Sequence, residues 1–588
     1  MKSSREWFPL TGSASTREVI AARSKTAVPI DPLSGGKIAL AGRVVTMDVA
    51  NTVLTDAVLY IDQASFVAVQ DRGKPAPPGF AGVPIVETGG TIYPGLIELH
   101  NHLSYNLLPL WSPVPARFQF RDQWSKHKDY RPLISGPMTV LGEYRDKNGQ
   151  AAFLPALVRY VECKCLVGGV TTSQGIRLNS NAGISRYYRG LIRNVEQTDD
   201  ASLSDAQARI GDIDAKDARR FLTQLNKEDS CYLLHLSEGF TDPAHPDSAA
   251  REHFLALEIA NDEWALNNAF CGIHSAGLLP DDFRVLKSYG ASMVWSPLSN
   301  LLLYGATAHV DAARAHGVRI GIGSDWSPTG SKNLLGELKV ASLCSRGLLN
   351  STFSSRDIVA MATCDAAKIL KWEGKLGTIA AGARADLIVI PVNTGDPYDA
   401  LIQAKETDLQ LVMINSIARY GVPSLMDALV PNDQTVKIAN QSRKLYLKQA
   451  TADQGVAAIS LSKAMQQLKD ALLNIVSLAK DLEKPKPAPA KRRILDAPAP
   501  VVWSLALDEI QDTGEDLRPH LPFRGPRDFT GPKRKSAAVT AKTQPLSAVL
   551  KPIDLDPITV ADDPNFLNEI EHQPNVPEVV KMGLRALY

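Results

Sequence analysis

Four pieces of metal-binding chemistry occur in order along the chain: His100-Asn101-His102, His235-Leu236-Ser237-Glu238, His274 and Asp325. In a His-x-His pair at a strand end, side chains two positions apart point to one side, so both imidazoles reach the same cation. Neutral imidazoles with one carboxylate form a borderline-soft, incomplete shell that leaves a position for water and suits Zn or Fe(II) better than Mg or Ca. A cation held in this way lowers the pKa of bound water from about 15.7 toward 7, giving hydroxide at neutral pH for attack on an electrophilic carbon. An open shell is a catalytic arrangement rather than a structural one, so the chain reads as an enzyme.

Each piece closes a short apolar run bounded by Gly or polar turn residues: Gly95-Leu-Ile-Glu-Leu99, Cys231-Tyr-Leu-Leu234, Ala269-Phe-Cys-Gly-Ile273 and Arg319-Ile-Gly-Ile-Gly-Ser324. A (β/α)8 barrel delivers every strand C-terminus to one face, so ligands more than two hundred residues apart can meet there. Helix-like segments at 281–289 and 336–348 alternate with such strands. Residues 37–94 show short β-like runs separated by turns, and similar runs return at 385–390 and 411–421. The expected architecture is α/β. A small discontinuous β-sandwich, residues 37–94 and 384–450, flanks a metal-dependent (β/α)8 TIM barrel over 95–383, and a C-terminal extension over 451–588 adds a helix and an extended arm.

The ordered segments Tyr93-Pro-Gly-Leu-Ile-Glu-Leu-His-Asn-His102, Gly168-Gly-Val-Thr-Thr-Ser173, His235-Leu-Ser-Glu238, Gly272-Ile-His274, Trp295-Ser-Pro-Leu-Ser-Asn300, Gly321-Ile-Gly-Ser-Asp325, Met361-Ala-Thr363 and the run from Lys375 to Val389 resemble the amidohydrolase superfamily, in particular its mononuclear branch of deaminases and chlorohydrolases. The resemblance covers roughly residues 37–391. It implies His100, His102, His235 and Asp325 as ligands of one divalent metal, zinc ahead of Fe(II). It also implies His274 as a contact to the hydrolytic water or substrate. Glu238 would be the proton shuttle, protonating the substrate nitrogen while Asp325 takes the proton from the attacking water. That division needs two carboxylates in different environments.

Two positions depart from the family pattern. Glu98 stands where an Asp is usual, and its longer side chain alters the support of the ligands. A bridging lysine on the fourth strand, needed for two metals, is absent from the run Gly190-Leu-Ile-Arg-Asn-Val195. The implied activity is hydrolysis of a C–N bond, by deamination of a heterocycle or hydrolysis of an amide, with chloride as the other leaving group of the branch. A two-metal amidase and a catalytically silent assembly or scaffold subunit are the alternatives.

The loop after His102 carries Tyr105, Asn106, Trp111, Phe118, Arg121 and Trp124, suited to a planar ring or an anionic group or equally to packing. Tyr105, Trp295, Asn300 and Trp326 are candidate substrate contacts. Residues 330–333 precede a helix and act either as an ordinary N-cap or as an anion site. His309 and His316 belong to a helix ending at Gly317 and take capping or solvent-facing places; His127, His245, His253, His520 and His572 lack ligand context.

With 588 residues, 44% hydrophobic, the chain can bury a barrel core and accessory elements. A net charge of +1 gives no sign of nucleic acid or an anionic membrane as partner. No stretch reaches the roughly 18 apolar residues of a membrane span, and the N-terminus has no secretory apolar core. The expected setting is cytoplasmic, with a small-molecule substrate, no nucleic acid or membrane partner, and a homo-oligomeric state. The six cysteines show no paired metal spacing and read as reduced thiols. From Leu461 through Met465, Leu468, Leu472, Ile475, Ala479 and Leu482 a seam recurs with heptad-like spacing, fit for its own protein or a partner helix. Lys484 to Arg493 reads as a solvated linker, and Trp503, Phe523, Phe529, Phe566 and Tyr588 as docking points of the arm.

Overall fold

A computed structural model describes residues 36–176, 178–180, 190–198, 200–392, 395–430, 434–449, 454–484, 502–505 and 544–588. The N-terminal segment, the linker beyond Lys484, His520, Phe523 and Phe529 lie outside the described residues.

Four strands, β1 (Ile38–Val45), β2 (Val53–Asp62), β3 (Ser65–Asp71) and β4 (Ile85–Pro94), open the chain. Eight parallel strands follow in chain order: β5 (Leu96–Glu98), β6 (Val170–Ser173), β7 (Arg193–Asn194), β8 (Gln207–Arg209), β9 (Tyr232–Leu236), β10 (Phe270–His274), β11 (Ser292–Trp295) and β12 (Arg319–Ile322). Ladders join β5 to β7 in one arc and β8 to β12 in another. Hydrogen bonds close both seams. Ala206 N donates to Val195 O at 2.8 Å on one side, and on the other Leu99 N donates to Ile322 O at 3.3 Å and Asp325 N to His100 O at 3.1 Å. The result is a (β/α)8 barrel whose last strand meets its first at the His100 and Asp325 segments.

The central strands β9 and β10 are buried along their whole length, as strands covered on both faces must be. Ile97, Leu99, Val195, Ala208, Leu233, Cys271, Ile273 and Val294 fill the interior, and Trp372 and Leu376 join the same cluster. Ser230, just before β9, donates to Leu370 O at 2.7 Å, so this plug sits at the N-terminal end and leaves the opposite end to the histidines. At Gly323 an added Cβ would lie 2.5 Å from His100 N; a side chain there would hold the barrel seam open.

One strand assignment changes. The run 190–195, expected as the fourth barrel strand, supplies the third, and Gln207–Arg209 is the fourth. Both are only two or three residues long, too short for a period to mark them, and neither carries a lysine.

After the barrel come β13 (Leu387–Pro391), β14 (Leu411–Ile414), β15 (Ile417–Gly421), β16 (Gln434–Ile438) and β17 (Gln441–Leu445). Hydrogen bonding runs through nine strands in the order β16-β17-β15-β14-β13-β4-β1-β2-β3, with β13 antiparallel to β4 at the join. Leu40, Leu59 and Ile92 from the first half share one core with Leu387, Leu411 and Met413 from the second.

The helical seam predicted from Leu461 is two helices, Leu461–Leu473 and Ile475–Glu483, separated at Asn474. The first packs on the barrel helix α1 (Leu154–Val167) of the same chain, whose buried Arg159 donates to Ile459 O and Val456 O, and the second packs on the helices Gly136–Glu143 and Leu546–Val549. The seam is therefore consumed within the chain rather than presented as an open coiled-coil face, and Met465 falls on its exposed side. Trp503–Leu505 pairs antiparallel with Leu178–Ser180. The final stretch is not wholly extended. It ends in two helices, Phe566–Glu571 and Glu578–Leu587, the latter packed on the Leu334–Leu348 helix. All six cysteines are free and buried.

Candidate metal centre

The barrel seam brings His100 and His102 from the end of β5 against Asp325 from the end of β12. His100 Nε2 lies 3.1 Å and His102 Nε2 3.4 Å from Asp325 Oδ1. The His235 ring, at the end of β9, is centred 4.7 Å from that of His100 and 5.3 Å from that of His102. The donor atoms of His100, His102 and Asp325 lie within 4.8 Å of one another, as do those of His100, His235 and His274.

Neighbouring groups set the tautomers. His100 Nδ1 donates to Gln174 Oε1 at 3.3 Å and His235 Nδ1 to Arg209 O at 3.2 Å, which leaves Nε2 of each as a lone pair facing the group. His274 is reversed. Asn300 Nδ2 donates to its Nδ1 at 3.2 Å, so Nε2 carries the proton and points as a donor toward Glu238 Oε2, 3.8 Å away, and Asp325 Oδ2, 4.0 Å away. Three imidazole lone pairs and one carboxylate fit a single borderline-soft cation, and the fourth histidine is left to face what that cation would bind.

The backbone places these groups by breaking alternation. Cys271 and Ile273 face the barrel interior, so a regular strand would turn His274 away; its φ of +64° brings the ring back, and Ser237 at +47° and Asp325 at +66° lie in the same left-handed region. Such non-glycine residues cost of order 1–3 kcal/mol each and cluster at functional sites.

The two carboxyls differ in their surroundings. Burial alone would raise Asp325, but His100, His274 and His102 outweigh it and hold this carboxyl far below its usual range, while Ser299 Oγ donates to Oδ2 at 2.6 Å. Glu238 is pushed up to about 7 by burial and then by the Asp325 charge; Tyr304 OH donates to its Oε1 at 2.7 Å and accepts from Trp124 Nε1 at 2.8 Å. Burial, followed by the neighbouring imidazoles, pulls His235 and His274 well below the usual histidine range. Glu98 accepts from Ser324 N at 3.0 Å and from Ser324 Oγ, bracing the residue beside Asp325.

Of the candidate substrate contacts, Trp326 and Tyr105 line the group. The Trp326 ring is centred 5.6 Å from His102 and 5.1 Å from Tyr105, and Trp124 packs on it at 5.8 Å. The His102 side chain, 11% exposed, is the most accessible of the ligand set. The structure does not bring Trp295 into this group. Its indole donates to Thr307 Oγ1 at 2.6 Å and its ring leans on Phe353. Asn300 reaches His274 and acts on the histidine rather than on open space. Asn333 is an ordinary N-cap, accepting from Gly336 N at 3.0 Å. Gln174, Ser299 and Tyr304 escaped the sequence reading. Ser299 and Tyr304 lie in or just beyond the quoted Trp295 to Asn300 segment, and Gln174 follows Gly168 to Ser173, so adjacency to those segments was the only available signal.

Residues 263–416 match the model of the amidohydrolase family. Over that segment the chain is similar to the amidohydrolase family. It is 30% identical over 152 residues to a 5-methylthioadenosine/S-adenosylhomocysteine deaminase from Caldanaerobacter subterraneus subsp. tengcongensis, covering 24% of this chain and 35% of that protein. To an S-triazine hydrolase from Gordonia rubripertincta it is 30% identical over 195 residues, covering 31% and 39%. The chain thus spans under half the length of these curated relatives. Among solved structures, a triazine hydrolase from Arthrobacter aurescens superposes with a TM-score of 0.48 at 18% identity, over 65% of this chain and 94% of that one. The family match includes His274 and Asp325 but stops short of His100, His102, His235 and Glu238, which the barrel geometry brings to them. Among the described residues no helix is long and apolar enough to cross a membrane.

Proposed function

We propose that the protein is a metal-dependent hydrolase that cleaves a C–N bond of a small molecule, with deamination of a planar heterocycle ahead of amide hydrolysis. One observation carries the reading: Glu238 and Asp325 flank the donor Nε2 of His274 at 3.8 and 4.0 Å, with their proton affinities driven in opposite directions. His100, His102, His235 and Asp325 would hold the cation, zinc ahead of Fe(II) on the donor set. When bound, it would supply an activated water and polarise the electrophilic carbon. Asp325, held ionised, accepts the proton from the attacking water. Glu238, protonated near neutral pH, delivers a proton to the departing nitrogen, and Oε2 is the oxygen that does so because Oε1 is engaged by Tyr304. His274 donates from Nε2 to the oxygen being added. Trp326, Tyr105 and Trp124 offer flat apolar walls for a ring. The names of the relatives, deaminases and a triazine hydrolase, support the same bond class. A cytoplasmic, homo-oligomeric protein belongs to the same proposal.

The test is a metal count combined with an ammonia-release screen over purines, pyrimidines, triazines and acyl amides. One metal per chain and ammonia from a ring amine is the expected result. Release only from acyl amides would move the reading to an amidase, and no turnover on any class by metal-loaded protein would favour a silent scaffold.

A further inference from the structure

The described C-terminal stretch, residues 544–588, lies against the loops that follow β5, β11 and β12, on the face that carries the histidines. Gln573 pairs with the backbone of Val114 and Trp111, and Asn575 donates to Ala116 O and Leu302 O. At its centre Asp556 is buried to 1% and forms ion pairs with both Lys164 of α1 and Lys332 after β12, which are themselves buried. Lys332 also meets Asp563 at 2.8 Å, and Asp556 N donates to Leu107 O at 3.0 Å.

From Lys164 a continuous polar path reaches the ligand loop. Its ammonium donates to Asn106 O at 2.8 Å and Ser327 Oγ at 2.9 Å; Asn106 Nδ2 donates to Asn101 Oδ1 at 2.9 Å. Asn101 stands between His100 and His102 and donates to Ser324 Oγ at 3.2 Å, beside Asp325. We propose that Asp556 is a positioning residue for the metal centre: by neutralising Lys164 and Lys332 in the interior, the C-terminal arm fixes the His100-to-His102 loop from outside the barrel. The family match ends at residue 416, so this support comes from chain beyond it. Without the carboxylate Lys164 becomes a buried ammonium with no ionic partner beside Lys332, which keeps only Asp563, and Lys164 leaves the place that holds Asn106.

The inference rests on the metal reading above, so its test includes a measurement on metal-free protein. Hydrogen exchange at amides 101–108 and titration with Co(II), followed by its visible spectrum, are compared in wild type, Asp556→Asn, Asp556→Glu and Asp563→Asn. Asp556→Asn is expected to speed exchange at 101–108 at least about tenfold and to weaken Co(II) binding by about 10–100-fold, the usual effect of losing a group that orients metal ligands. Asp556→Glu restores both in large part. Asp563→Asn, which touches only Lys332 among these cations, lowers the melting temperature and leaves both readouts alone. Should Asp556→Asn fail to fold, Lys164→Met, which leaves Asp556 paired with Lys332, carries the same expectation. Unchanged exchange, or faster exchange with unchanged Co(II) affinity and spectrum, overturns the proposal. If wild type itself binds no Co(II), the metal reading fails, and the exchange result alone decides whether the arm fixes the loop.

Discussion

Tyr304 donates its hydroxyl proton to Glu238 Oε1 at 2.7 Å, which leaves Oε2 as the oxygen that faces His274. The bond favours the ionised carboxylate, against burial, which raises Glu238 to about 7. An acid catalyst works in its protonated form, so activity should fall as pH rises through about 7. Tyr304→Phe removes a bond to the charged form and should move that alkaline limb to higher pH with metal content unchanged. A pH–rate profile of the two proteins checks it; a limb that moves down, or not at all, separates Tyr304 from proton transfer.

Asp325→Asn removes both a ligand charge and the acceptor for the water proton. Metal retention should weaken and turnover should drop by at least the roughly 10²–10⁴-fold typical of acid–base residues, with the fold intact by circular dichroism. Full activity with unchanged metal would mean that the site is elsewhere.

Glu238→Gln should separate the two properties. The carboxyl is engaged by Tyr304 at Oε1 and faces His274 at Oε2, 3.8 Å away, so metal occupancy should stay near wild type while turnover collapses. Parallel loss of metal and rate would put Glu238 among the ligands.

Asn300→Asp reverses the polarity of the bond to His274. A carboxylate accepts from Nδ1–H, so Nε2 loses its proton and becomes a lone pair facing the cation position. Turnover should fall about 10²-fold or more while metal affinity holds or rises. Unchanged turnover would remove the donor role of His274.

The sequence carried the parts of the site that follow chemical type and order: the three ligand-bearing segments and His274, the strands that end in them and the return of the chain to the sheet at Leu387. Four kinds of information were not in it. Barrel strands of two or three residues, such as Arg193–Asn194 and Gln207–Arg209, show no period, so the strand count slipped by one. Trp295 ends β11 and opens the quoted motif, yet alternation turns its indole out to Thr307, and side-chain direction at a strand end depends on a backbone kink that residue type does not announce. The heptad-like seam at Leu461 states that an apolar face needs cover but not whose; α1 covers its first helix, and Gly136–Glu143 and Leu546–Val549 cover its second. Asp556 lies more than two hundred residues from either lysine it joins, beyond the reach of any local pattern.

The central claim is a single cation held by His100, His102, His235 and Asp325 that drives C–N hydrolysis. Chelation followed by stepwise return of zinc, with bound metal and ammonia release measured in the same samples, tests it most directly. Chelated protein is expected to be inactive and folded, with activity returning in full at one equivalent per chain. Activity that survives chelation, or that appears only with the second equivalent, would contradict it.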